Sequence, residues 1–170
     1  MHMKPFLILG IGNLLRTDDG VGVHVVNQLN DSGKLPDWVE AIDAGTSGLD
    51  LPAMMQGRER VLVVDALEAN EEPGSIFRFD ALRLASSAPH AVSSHEAGIV
   101  EALRALETLG ERPEAEIIGV VPQDVVTMGM VPTREVLAAV PKVMKLALQA
   151  VSEYEKLKAE VATGEEIQLQ

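Results

Sequence analysis

Cysteine is absent from this 170-residue chain. That removes a thiol nucleophile, a disulfide framework and any thiolate metal site at once, so metal chemistry here has to use histidine and carboxylates. Aromatic residues are almost as scarce, at three Phe, one Trp and one Tyr, and the core therefore has to be built from Val, Leu, Ile, Ala and Met. Positive charge is also short. Fourteen Lys and Arg stand against 26 Asp and Glu, a formal net charge of −12. Phosphate backbones would be repelled, which argues against nucleic acid as a partner. The acidity mainly serves solubility, although it would also suit a basic partner. No apolar run is long enough to span a bilayer. The short run Pro5 to Leu9 lacks both the length and the cleavage site of a signal peptide. A cytoplasmic protein without a membrane partner, monomeric when free, is the expectation.

Several catalytic signatures are missing too. His95-Glu96 has no second histidine at helical spacing, which excludes a zincin. There is no Gly-x-Ser-x-Gly elbow and no Gly-x-x-x-x-Gly-Lys-Ser/Thr phosphate loop. Gly10-x-Gly12 after an apolar run invites a dinucleotide reading, but Leu15 stands where the third glycine belongs. Asp18 and Asp19 also precede the next helix, where a pyrophosphate would meet their charge.

What is present has the pattern of an α/β protein. Phe6–Leu9, Arg60–Val64 and Glu116–Val121 are continuous apolar runs, as expected of central strands covered on both faces. Trp38–Ile42 alternates weakly and suits an edge. Ser75–Phe79 alternates cleanly and suits a half-exposed, antiparallel strand. Helical periodicity covers Val21–Leu29, Asp50–Gln56, Glu96–Leu109, and a final stretch from an N-cap at Thr133 to Leu157 that Pro141 is expected to kink or restart. The order β-α-β-α-β-β-α-β-α predicts a three-layer α/β/α sandwich. Its sheet should be mixed, mostly parallel and five-stranded. A single domain is expected over residues 1–162, with a polar, frayed tail over 163–170. Three loops are long enough to be functional: Gly10–Gly20, Ala81–Ser94 and Pro122–Val131.

The candidate site residues lie at the ends of these elements. Of Asp18 and Asp19, one is expected to cap the following helix, leaving the other as a ligand or acid–base group. Asp65 closes a central strand, at the edge where open α/β sheets hold their ligands. Asp43 ends the strand before Ala44-Gly45-Thr46-Ser47-Gly48, where the plain alternative is an Asp making turn hydrogen bonds. His95 stands at the start of a helix that Ser93 or Ser94 can cap, a place that favours the neutral, metal-binding imidazole. His90 reads as an exposed loop residue, His24 as a packed or surface helix residue, and His2 as terminal. Asp19, Asp65 and His95 would meet at one rim, and two carboxylates with one imidazole suit nickel or zinc.

The residues Gly10-Ile11-Gly12-Asn13-Leu14-Leu15 with Asp18-Asp19-Gly20-Val21-Gly22 resemble the N-terminal signature of the nickel–iron hydrogenase maturation endopeptidases. The resemblance continues through Asp43–Gly48, Val63–Ala66, Ser94–Gly98, Ile118–Gln123 and Val131-Pro132-Thr133, in order from Phe6 to Leu157. It implies a peptidase that removes a C-terminal peptide from the hydrogenase large-subunit precursor once nickel is installed. It further implies that Asp19, Asp65 and His95 are the metal-contacting set and that Asp43 contributes to activity or substrate selection. Some members carry Glu where Asp19 stands, so the ligand arm here is one methylene shorter. The nickel is expected to arrive in the precursor, and another divalent metal could occupy the site in purified protein. A non-proteolytic nickel-binding accessory protein is the alternative on the same fold, and a nucleotide-binding module is a third reading.

Overall fold

A computed structural model describes residues 3–46, 48–83 and 94–167. Five strands form one sheet: β1 (Phe6–Ile11), β2 (Val39–Gly45), β3 (Arg60–Ala66), β4 (Ile76–Asp80) and β5 (Glu114–Val120). Their spatial order is β2-β1-β3-β5-β4. Neighbours from β2 to β5 in that order are parallel, and β4 runs antiparallel to β5. Among the described residues four helices cover the sheet: α1 (Val21–Asp31), α2 (Leu51–Met55), α3 (Ser94–Thr108) and α4 (Arg134–Ile167).

Successive residues of a strand face opposite sides. Phe6, Ile8, Leu62, Val64, Ile118 and Val120 therefore pack under α1 and α4. Leu7, Leu9, Val61, Val63 and Ile117 pack under α2 and α3. Both faces are buried, which explains why the central strands read as unbroken apolar runs. The expected α/β/α sandwich is the fold observed, with β2 and β4 at the two edges as their alternation implied. Three of the five aromatic residues form one cluster: Phe6 lies 6.2 Å from Trp38 and 5.4 Å from Tyr154, centroid to centroid.

Some boundaries differ from the sequence reading. Neither Asp18 nor Asp19 caps α1; the cap position is Gly20, with no side-chain bond. A single 3₁₀ turn, Thr17–Gly20, takes up both aspartates instead. α4 passes through Pro141 without a break and remains helical past Thr163 to Ile167. No helix among the described residues is long and apolar enough to cross a membrane.

The packing of α1 fixes the geometry of the site. A Cβ at Gly22 would lie 2.1 Å from the Val64 carbonyl oxygen and 2.5 Å from that of Ile11. A Cβ at Gly10 would lie 2.3 Å from the Gly22 oxygen. Helix backbone thus rests directly on the ends of β1 and β3. The chain leaves β1 for β2 on one side and returns to β3 on the other. The crevice at this reversal, outside the carboxyl ends of the strands, is where such sheets bind ligands.

Candidate active site

Asp65 is the penultimate residue of β3 and only 1% exposed. Its Oδ1 accepts the Ala66 N–H at 2.8 Å and stands 3.4 Å from His95 Nδ1. Its Oδ2 is buried and has no hydrogen-bond partner among the described residues. An anionic carboxylate without full pairing is costly in such a place. Burial accordingly pushes the Asp65 pKa from 3.8 up to about 6, against the opposing pull of His95 and the Ala66 amide. The charge on Asp19 pushes in the same direction as burial. His95 is the second residue of α3, so the start of that helix sets the imidazole against the end of β3.

Asp19 belongs to the 3₁₀ turn that leads into α1. Gly12 adopts φ +134°, and a Cβ there would lie 1.7 Å from the Asp19 carbonyl oxygen. The second glycine of Gly-x-Gly therefore makes room for the Asp19 backbone, leaving none for a phosphate. The Asp19 Oδ2 accepts the Asn13 N–H at 2.9 Å. Among the described residues no three acidic or histidine side chains stand close enough to cradle a metal by themselves. The structure thus brings Asp65 and His95 into contact and sets Asp19 near enough to act on Asp65 through its charge.

Asp18 has a different task, one that sequence reasoning missed. It is fully buried. Its Oδ2 accepts the N–H groups of Gln123 and Asp124 at 2.8 and 2.9 Å, and its Oδ1 accepts that of Thr133 at 2.6 Å. The Thr133 hydroxyl donates to the same carboxylate. One side chain thereby clamps both ends of the loop between β5 and α4 onto the loop after β1. Thr17, between the clamp and Arg16, is held at φ 24°, a strained value for a β-branched residue. Its N–H donates to the Gly129 carbonyl at 2.7 Å and its hydroxyl to that of Asp124. The one hint in sequence was the pair of adjacent aspartates before a helix that needs at most one.

Residues 23–150 match the family described as hydrogenase maturation protease (HycI). The chain belongs to the hydrogenase maturation protease family. The hydrogenase 2 maturation protease of Escherichia coli is 33% identical over 134 residues, 77% of this chain and 82% of the relative. The structure of the hydrogenase maturating endopeptidase HybD from E. coli superposes with a TM-score of 0.80 at 30% identity, covering 88% of this chain and 93% of that one. The [NiFe] hydrogenase maturation protease HybD from Thermococcus kodakarensis gives 0.72 at 29% identity, covering 85% and 97%. The family span takes in Asp43, Asp65 and His95 and starts just after Asp19.

The remaining sequence candidates of this maturation protease are placed as follows. Asp43 is exposed on β2, beside Gly10 in the register of β1 and β2. Its Oδ1 accepts the Gly45 N–H at 2.8 Å, the turn role named as its plain alternative. His24 is half-buried on α1 and bonded to the Met130 carbonyl; burial lowers its pKa. His2, His90 and Ser93 lie outside the described residues. Chemically, the protease presents a buried carboxyl that titrates near 6 beside an imidazole, with the charge of a second carboxylate, Asp19, acting on it. Such a set can hold or release a proton close to neutral pH.

Proposed function

We propose that this protease removes the C-terminal extension of a nickel-loaded hydrogenase large-subunit precursor, and that Asp65, His95 and Asp19 engage the nickel carried by that substrate. The observation that supports this reading most is the buried Oδ2 of Asp65, which has no partner among the described residues, beside the His95 imidazole. A buried carboxylate oxygen without a donor is suited to a cation, and carboxylate with imidazole is a donor set that suits nickel. Only two of the three groups are in contact, so a tightly held resident metal is not expected. An ion brought by the precursor, already ligated there, needs only open positions filled.

The nickel would supply Lewis acidity, polarising the scissile carbonyl or acidifying a bound water. The protein's own groups do the rest. His95 orients Asp65 through Oδ1, which leaves Oδ2 available to the substrate. With a pKa near 6, Asp65 is ionised at neutral pH yet able to take up a proton during the reaction. Asp19 keeps the Asn13 backbone in place while adding its negative charge to the field at Asp65.

The direct test mixes the purified protein with nickel-loaded and nickel-free precursor. Cleavage confined to the loaded form is expected. Equal cleavage of both would sink nickel recognition, and no cleavage of either would sink the substrate assignment. Asp65→Ala and His95→Ala should each abolish processing while leaving the fold intact by circular dichroism.

A further inference from the structure

Within the loop that Asp18 clamps, the stretch after Asp124 presents an uncharged apolar face. Nine consecutive residues, Val125 to Thr133, carry no charge in a chain that is 24% charged. Val126, Met128, Met130 and Val131 are 76%, 69%, 57% and 68% exposed, and Leu15 is 52% exposed. Leu15 lies beside it, followed by the exposed and charged Arg16. The segments are joined by the bridge between Arg16 and Gly129, in which the Gly129 N–H donates to the Leu15 carbonyl at 3.0 Å. Exposed apolar clusters of this kind mark interaction sites.

The face is held rigidly. Asp18 anchors Gln123, Asp124 and Thr133. The Asp124 Oδ1 accepts the N–H groups of Val126 and Thr127 at 2.9 and 2.8 Å. Thr17 bonds to Gly129, and His24 holds the Met130 carbonyl from below. A loose loop could fold its apolar side chains inward, whereas this one is tied in a conformation that keeps them out. Methionines at two of the exposed positions add adaptability.

We infer that this face docks an uncharged apolar surface of the hydrogenase large-subunit precursor beside its cleavage site, an inference that rests on the function proposed above. The face is continuous with the site: Leu15 and Asp19 stand on one loop, four residues apart. A precursor whose C-terminal segment reaches Asp65 and His95 would come close to the loop that carries Leu15. Charge favours this occupant over others. Two copies of a chain with net charge −12 repel each other, and an anionic membrane surface would repel it equally. An uncharged patch is where an acidic molecule can meet a partner without facing that repulsion.

The test is steady-state processing of nickel-loaded precursor by Met128→Glu, by the Val126→Glu/Met128→Glu pair and by Met128→Leu, with thermal unfolding and sedimentation run alongside. Both positions are solvent-exposed, so the unfolding temperature should stay at the wild-type value. Met128→Glu should raise KM by about tenfold, as expected for losing a central apolar anchor, and the pair should raise it further. The kcat at saturation should remain within about twofold, because the chemistry lies elsewhere. Met128→Leu should behave as wild type. If the Glu variants unfold early, Val126→Ala/Met128→Ala removes the same contact without adding charge and should still raise KM. Wild-type cleavage with unchanged KM in every variant overturns the docking surface alone. So does a wild-type dimer that Met128→Glu dissociates, since a second copy would then be the occupant. A wild type that cleaves no precursor overturns the proposed function and this inference together.

Discussion

Replacing Asp65 by Asn should change how stability responds to pH, in a direction fixed by the site. The carboxyl titrates near 6 in the folded protein against an ordinary 3.8. Between those values the folded state binds more proton than the unfolded chain, so the stability contribution of Asp65 falls as pH rises through this window. Well above pH 6 the full penalty applies, about 3 kcal/mol on the usual conversion. At pH 5 roughly half of it is present. The introduced amide carries no charge at either pH, and whatever it costs in that pocket does not titrate. The stability difference between variant and wild type should therefore shift in the variant's favour by about 1.4 kcal/mol from pH 5 to pH 7.5. Urea unfolding at each pH measures this, with the fluorescence of Trp38, the only tryptophan, as probe. A second arm repeats the comparison in a His95→Gln background. The imidazole holds the Asp65 pKa down, so its removal should enlarge the pH 7.5 effect. Parallel pH profiles for wild type and Asp65→Asn would refute the reasoning, because they would mean that Asp65 is neither desolvated nor poised.

Further outcomes follow from the same geometry. Asp18→Ala strands the N–H groups of Gln123, Asp124 and Thr133 and should cost about 3 kcal/mol or more in urea unfolding. Gly12→Ala would set a methyl against the Asp19 carbonyl at a backbone angle unsuited to alanine and should abolish precursor processing. Asp43→Asn keeps the acceptor for the Gly45 N–H; its stability should stay within about 0.5 kcal/mol of wild type, while processing falls through loss of the charge. Tyr154→Phe removes the bond from the Tyr154 hydroxyl to Glu59 and should cost about 1 kcal/mol without affecting processing, since that contact lies at the opposite end of the sheet from Asp65.

Much of the fold was legible because burial leaves a direct mark on sequence. β1 and the middles of β3 and β5 are buried on both faces and apolar, with charge confined to strand ends at Arg60, Asp65, Glu114 and Glu116, while β4 at the edge is half-buried to exposed throughout. The pairing of Asp65 with His95 was legible for a similar reason: a charged residue ending an apolar strand and a histidine opening a helix are both out of place unless used. Asp18 was not legible in the same way. Its partners stand 105 to 115 residues away, and nothing local separates a fully buried carboxylate from the half-buried one beside it. The two glycines after β1 misled in the opposite sense. Gly10-x-Gly12 resembles a phosphate loop, yet the close neighbours are the chain's own backbone at Gly22 and Asp19. Local pattern reports which residues need space; which group fills the space is decided by the tertiary fold.

The Asp18 clamp also bears on how the molecule is made. Its donors come from residues 123 to 133, and the strand beside Asp65, β5, comes from residues 114 to 120. A nascent chain that has emerged only through α3 already contains Asp19, Asp65 and His95, but it has neither the neighbouring strand nor the tie that orders the first loop. Competence should therefore switch on only after the chain through Thr133 has left the ribosome, and a molecule synthesised no further than α3 should be unable to cut anything it meets.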